Sequence, residues 1–369
     1  MIISKISVYG LHLPLTEVQF LSKGRRFENF DSTFVRIETD EGAVGWGEAC
    51  PWGNSYLPAF SGAIRAALAI LGPQLLGQDP RRPEVLIRFM DAILPGHLYT
   101  KAVIDYAVWD ILGKTADLPI YELLGGKEAH SVPTSASIHL DTLDNMLAKL
   151  AYWRNRGTKR FSIKMGQGVE TDIETVRAFT SVRRAEELFI FDANGGWSPW
   201  EAIRVMNATA DRDTTFEMPC TTYEEFLNVR SQTRQPISLD ECMVEYRDFM
   251  RAVNDRSCEI VNVKLARVGG ITRARRIRDL CMANNVHMLI MDMAGTVVND
   301  TVCAHFAQTL PAERLVGAWS CQDYITVDPA PGRGARNIDG HMAPPALAGL
   351  GVEPDITMLG EPLMVFERG

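Results

Sequence analysis

The chain has 369 residues, more than one ordinary domain requires, and its 46% hydrophobic and 23% charged composition is that of a folded protein with a well-buried core. A formal net charge of -8 argues against nucleic acid or an anionic membrane as the main partner, because both select basic patches, and favours a small molecule. Seven cysteines, an odd number without CxxC spacing, read as reduced thiols, and no uninterrupted apolar run is long enough to span a membrane, so the expected location is the cytoplasm.

In chain order, Met1 to Leu15 alternates like a strand and lacks the apolar run and cleavage site of a signal peptide. The polar stretch Gln19 to Phe30, with Lys23, Arg25 and Arg26, reads as a loop or a lid. Two strands joined at Asp40-Glu41-Gly42 complete a small antiparallel sheet. Helical patterns follow at Pro58 to Leu76, Arg82 to Ile93 and Tyr99 to Ala116, and Leu124-Gly125-Gly126 is a helix stop. Sheet followed by helices marks residues 1–126 as an α+β unit.

From Gly126 onward strands and helices alternate, which predicts parallel βα units over residues 127–344. Eight strand-like segments can be counted: Val132 to Ile138, five that end in Lys164, Asp192, Glu217, Asp240 and Lys264, then His287 to Asp292 and Leu315 to Trp319. A closed barrel of such units takes about 250 residues and brings its strand ends together at one mouth, where barrels of this kind place their chemistry. Past Val327 the chain is rich in Gly and Pro. Its final apolar segment, Ile356 to Phe366, is expected to return to the first domain, with residues 345–369 as a tail.

Strand side chains alternate in direction, so Ser162 with Lys164, Ile190 with Asp192, Ser238 with Asp240, and Asn262 with Lys264 share the interior face. Three acids then meet between two amines. Oxygen ligands without accompanying Cys or His select Mg²⁺, or Mn²⁺, over zinc, which makes Asp192, Glu217 and Asp240 candidate metal ligands. One residue of register decides between Asp240 and Glu241.

The ordered set Ile163-Lys164-Met165-Gly166, Asp192-Ala193-Asn194, Glu217-Met218-Pro219, Asp240-Glu241 and Val263-Lys264 resembles the enolase superfamily, and within it the muconate lactonizing subgroup. The resemblance implies an α+β capping domain over a modified TIM barrel of (β/α)7β form, one Mg²⁺, a homo-oligomer, and removal of a proton alpha to a carboxylate. Lys164 and Lys264 would be the catalytic bases, one on each face of the substrate; the pairing of a lysine base with Mg²⁺ is a known property of this superfamily. Lysine occupies the sixth strand where mandelate-racemase relatives carry the acid of a His-Asp pair. At the second strand the usual Lys-x-Lys is here Ser162-Ile163-Lys164, which removes one like charge beside Lys164.

By position in the family, Trp52, Tyr56, Asn194, Asp292, Trp319 and Asp323 are expected to bind substrate. Aromatic faces with carboxylates attract a cation, so a zwitterionic amino acid is expected, its ammonium near Trp319 and Asp292. The Asp-x-Asp of dipeptide epimerases is absent from Gly317-Ala318-Trp319-Ser320. The loop Cys50-Pro51-Trp52-Gly53-Asn54-Ser55-Tyr56 and the eighth-strand Trp319 are similar to relatives that act on hydroxyproline and proline betaine. The expected reaction is dehydration or 2-epimerisation of a proline analogue such as cis-3-hydroxy-L-proline, with proline betaine epimerisation as the alternative. A muconate-type cycloisomerase would carry basic residues in these loops. A non-catalytic barrel that captures an amino acid is the remaining reading.

Overall fold

The computed structural model describes residues 1–369. The chain opens with strands β1 (Ile3–Leu21), β2 (Arg25–Thr39) and β3 (Val44–Ala49), then helices α1 (Ser61–Leu75), α2 (Pro83–Ile93), α3 (Leu98–Ala116) and α4 (Ile120–Leu123). Seven strand-helix units follow: β4 (Val132–Ile138) with α5 (Leu143–Asn155), β5 (Arg160–Lys164) with α6 (Val169–Val182), β6 (Leu188–Asp192) with α7 (Pro199–Ala208), β7 (Thr215–Glu217) with α8 (Tyr223–Arg230), β8 (Ile237–Leu239) with α9 (Tyr246–Asp255), β9 (Ile260–Lys264) with α10 (Ile271–Ala283), and β10 (His287–Met291) with α11 (Val297–Ala307). The strand β11 (Leu315–Trp319) closes the ring, and β12 (His341–Met342), α12 (Ile356–Leu359) and β13 (Met364–Glu367) end the chain. No helix is long and apolar enough to cross a membrane, and all the cysteines are free thiols.

Parallel pairing runs in sequence from β4 to β11, and β11 pairs back on β4, so the eight strands form a (β/α)7β barrel. The helices start where the sequence supplies caps. Ser198 and Thr222 each form a reciprocal capping box, with Glu201 and Glu225, and Thr142 caps α5. Side-chain alternation sends Phe161, Ile163, Phe189 and Phe191 outward against the helices. Ile190, Ile260, Leu289 and Val316 point inward and form a separate apolar plug below the charged strand ends.

The first sheet has the order β13-β1-β2-β3, so the last strand of the chain pairs with β1. Between this sheet and helices α1 to α3 lies an 18-residue core, whereas Leu13, Leu21, Phe27, Phe30 and Trp46 belong to the 76-residue core that runs into the barrel. The sheet domain is thus packed onto the barrel as one body. One expectation is corrected: Gln19 to Phe30 is not a loop but the end of a long hairpin, with Gln19 paired to Phe27 and Leu21 to Arg25. A register shift between Pro14 and Gln19 bends this hairpin, and its tip, Ser22 to Gly24, reaches the barrel mouth.

Candidate active site

The five charged strand ends meet as a consequence of strand order. In a ring of eight, strands four apart stand opposite, so Lys164 on β5 and Lys264 on β9 approach the axis from opposite walls. Both line one narrow cavity at the mouth, together with Glu217 and Asp240. Asp192, Glu217 and Asp240 come from β6, β7 and the residue after β8, the three strands between the lysines. Trp52, Tyr56, Asn194, Asp292 and Trp319 also border the cavity, and Ser135, Ser137 and Ser162 supply polar groups from β4 and β5.

Each amine is paired. Lys164 Nζ donates to Asp192 Oδ2 at 2.5 Å and to Ser162 Oγ at 3.2 Å. Lys264 Nζ donates to Asp240 Oδ2 at 2.6 Å and lies 5.8 Å from the centre of the Tyr56 ring. On its other oxygen Asp240 accepts from Arg267 Nη1 at 2.7 Å, and the Arg267 side chain is only 2% exposed. Asn262 donates to Glu217 Oε1 at 2.8 Å, while Glu217 Oε2 is buried without a partner. Glu241 accepts from Tyr56 Oη and, at 3.1 Å, from Asn194 Nδ2.

Burial pulls the Lys164 amine down, but the charges of Asp192 and Glu217 outweigh it and hold the group above the usual lysine range. Burial also raises Asp240, yet Lys264 and Arg267 overcome that and depress it to about 2. For Glu217 the Lys164 charge is not enough, and burial with the neighbouring Asp192 and Asp240 pushes it well above the carboxylate range. Burial and the same two neighbours raise Glu241 as well.

No three acid, His or Cys side chains are gathered tightly enough to form a finished metal cage, because Asp192 and Asp240 are each drawn onto an amine. The residues nevertheless fit a hard dication. With all four acids ionised, Asp192, Glu217, Asp240 and Glu241 against Lys164, Lys264 and Arg267 would leave one negative charge in excess, and the orphaned oxygen of Glu217 marks where a cation is wanted.

The substrate wall is aromatic. The Trp52 and Trp319 rings lie 6.2 Å apart, Trp319 lies 5.4 Å from Tyr324, and Phe27 and Phe30 back Trp52 at 4.8 and 5.0 Å. Two expectations change here. Asp323 is not at the cavity; it is held by Arg156 at 3.3 Å and Asn337 at 2.8 Å, because the chain turns away after β11. Asp292 borders the cavity, but its oxygens already accept from Tyr106 Oη at 2.8 Å and from the Met293 amide at 2.7 Å, and burial raises its pKa to about 6. A cation at this wall would therefore meet a carboxylate already occupied by protein donors. Two further neighbours were not legible in sequence. Arg267 stands three residues after Lys264 and braces Asp240, and His139, just past β4, lies tilted 6.5 Å from Trp52 behind the cavity wall and is lowered to about 3 by burial.

A barrel under a sheet-and-helix cap, with opposed lysines flanking a row of acids at its mouth, is laid out as an enzyme. Residues 27–125 match the mandelate racemase/muconate lactonizing enzyme N-terminal domain and residues 145–358 the enolase C-terminal domain-like family, so the chain belongs to the enolase superfamily. It is 39% identical to cis-3-hydroxy-L-proline dehydratase of Roseibium aggregatum over 98% of both chains, and 30% identical to a hydrophobic dipeptide epimerase of Enterococcus faecalis over 83% of this chain and 86% of that one. A crystal structure of an enolase-superfamily member from Roseovarius nubinhibens complexed with magnesium superposes with a TM-score of 0.95 at 41% identity, covering 99% of each chain.

Proposed function

We propose that the protein is a Mg²⁺-dependent dehydratase of cis-3-hydroxy-L-proline that also epimerises proline-like amino acids at C2. The observation that carries this reading is the placement of Lys164 and Lys264 on opposite walls of one cavity, with Asp192, Glu217 and Asp240 between them. Identity of 39% to a dehydratase of that substrate supports the choice of ring.

Bound at Asp192, Glu217 and Asp240, Mg²⁺ would supply Lewis-acid stabilisation of the charge that develops on the substrate carboxylate, and would draw those acids away from the amines. An amine so relieved can act as a base near neutral pH. One lysine takes the C2 proton from its side, and the electron pair passes into the carboxylate. If the opposite ammonium returns a proton to C2, the centre is inverted. If it protonates the C3 hydroxyl, water leaves and a C2=C3 enamine remains, which tautomerises to the cyclic imine.

Stereochemistry links this layout to the cis isomer. In cis-3-hydroxyproline the hydroxyl shares a ring face with the carboxylate, so it lies opposite the C2 hydrogen. Acid and base must then stand on opposite faces, as Lys164 and Lys264 do. With Mg²⁺ in deuterated water, NMR should show deuterium at C2 of the remaining or epimerised amino acid, loss of the C3 carbinol signal of the cis substrate with deuterium at C3 of the imine, and no elimination from the trans isomer. Absence of C2 exchange with every proline analogue would remove this substrate class.

A further inference from the structure

We infer that Arg25, at the end of the β1–β2 hairpin, is a positioning residue that couples closure of the hairpin over the cavity to the hold of Asp192 on a divalent cation. The inference rests on the cation site proposed above and adds a mechanical link to it.

Ser22 and Arg25 both touch one short loop, Ala193 to Gly196, which follows directly from Asp192, and Lys23 reaches it through Thr221. Ser22 is seated against Gly196 so closely that a Cβ there would stand 2.6 Å from the Ser22 Cβ, and the same holds at Gly166. Lys23 Nζ donates to Thr221 Oγ1 at 2.9 Å, and Thr221 in turn donates to the Gly195 carbonyl at 3.0 Å. Arg25 Nη2 donates to the Asn194 carbonyl at 3.0 Å, and its guanidinium lies 4.9 Å from the centre of the Tyr56 ring.

Asn194 passes this grip to the acids. Its backbone N–H donates to Asp192 Oδ1 and its side-chain amide to Asp192 Oδ2, both at 2.8 Å, so one residue orients both oxygens of that carboxylate. The same amide reaches Glu241 Oε1 at 3.1 Å and Tyr56 Oη at 3.2 Å. Asn194 sits at φ 47, in the left-handed region that asparagine adopts more readily than most side chains, and this turn aims both its N–H and its side-chain amide at Asp192. When the hairpin lifts, the charge-assisted bond to the Asn194 carbonyl is lost, and the loop is free to turn Asp192 out of line. By linkage the effect runs both ways: a cation that fixes Asp192 favours the closed hairpin by the same factor that closure tightens the cation.

The tip carries its own reporter, since Lys23 and Arg26 are exposed and are trypsin sites. In the full-length protein, saturating Mg²⁺ should slow tryptic cleavage at the tip about tenfold, the factor that one charge-assisted hydrogen bond commands. Calorimetric titration with Mg²⁺ should show affinity about tenfold weaker in Arg25→Gln and partly restored in Arg25→Lys. Mg²⁺ affinity unchanged in Arg25→Gln, or cleavage indifferent to Mg²⁺ in a protein that binds it, would overturn the coupling and leave the cation site standing. Failure of the unaltered protein to bind Mg²⁺ would remove the site and the coupling together.

Discussion

Lys164 and Lys264 illustrate what single residues disclose. A charge at the end of each of five consecutive strands was legible in sequence, because strand periodicity fixes which side chains share the barrel interior. The partners of those charges were not. Nothing in the sequence distance between Asp240 and Arg267 says that they pair, or that Tyr106 of the sheet domain donates to Asp292. Asp323 was misplaced for a related reason: position near a strand end gives the end of the barrel, but not the direction of a side chain once the chain has left the strand. On the proposed mechanism, replacing either lysine by Ala should abolish inversion at C2, yet only the variant that lacks the base should lose deuterium exchange from the L substrate. The expected loss is about a thousandfold, within the range of general-base contributions, and single-turnover NMR in deuterated water separates the two roles.

Among elements, the helices and barrel strands followed their periodicity and caps, whereas the β1–β2 hairpin did not announce itself. Gln19 to Phe30 is polar and charged, as loops are, but here polar side chains cover a strand end that serves as a roof over a charged cavity. The packing of α3 is set by small residues that sequence patterning passes over. At Gly47 a Cβ would stand 2.0 Å from the Val103 carbonyl oxygen, and at Gly45 2.1 Å from that of Ala107, so β3 lies directly on the helix backbone. Gly47→Ala is expected to destabilise the protein by about 2 kcal/mol or more, since backbone on both sides must shift, and denaturant unfolding measures it.

At the scale of the whole molecule, sheet domain and barrel are tied by buried acids. Glu48, at the end of β3, is fully buried and accepts from the Thr296 amide at 2.9 Å, the Thr296 hydroxyl at 2.8 Å and the Asn299 amide at 3.2 Å, at the start of α11. Asp105 on α3 accepts from the Thr272 amide at 2.9 Å, at the start of α10. Burial raises Glu48 and Asp105 to about 7, and Asp300, which binds the chain after β11, to about 8. A carboxyl whose folded pKa is raised binds more protons folded than unfolded, so stability falls as pH climbs from its unfolded value to its folded one. The buried His139 and His305, lowered to about 3 and about 4, act in the opposite sense, but their contribution is complete once pH passes the unfolded histidine value of 6.5. Between pH 6.5 and 8.5 the melting temperature should therefore decline, and Asp300→Asn should flatten the upper part of that decline. A calorimetric series across this range checks both.

The plug of Ile190, Ile260, Leu289 and Val316 seals the lower end of the barrel. Reactant and product must consequently share the doorway beneath the hairpin, so on the proposed coupling each catalytic cycle would require the roof to open twice, once to admit and once to discharge. Accumulated product then waits at the same threshold as fresh reactant, and the two compete for entry.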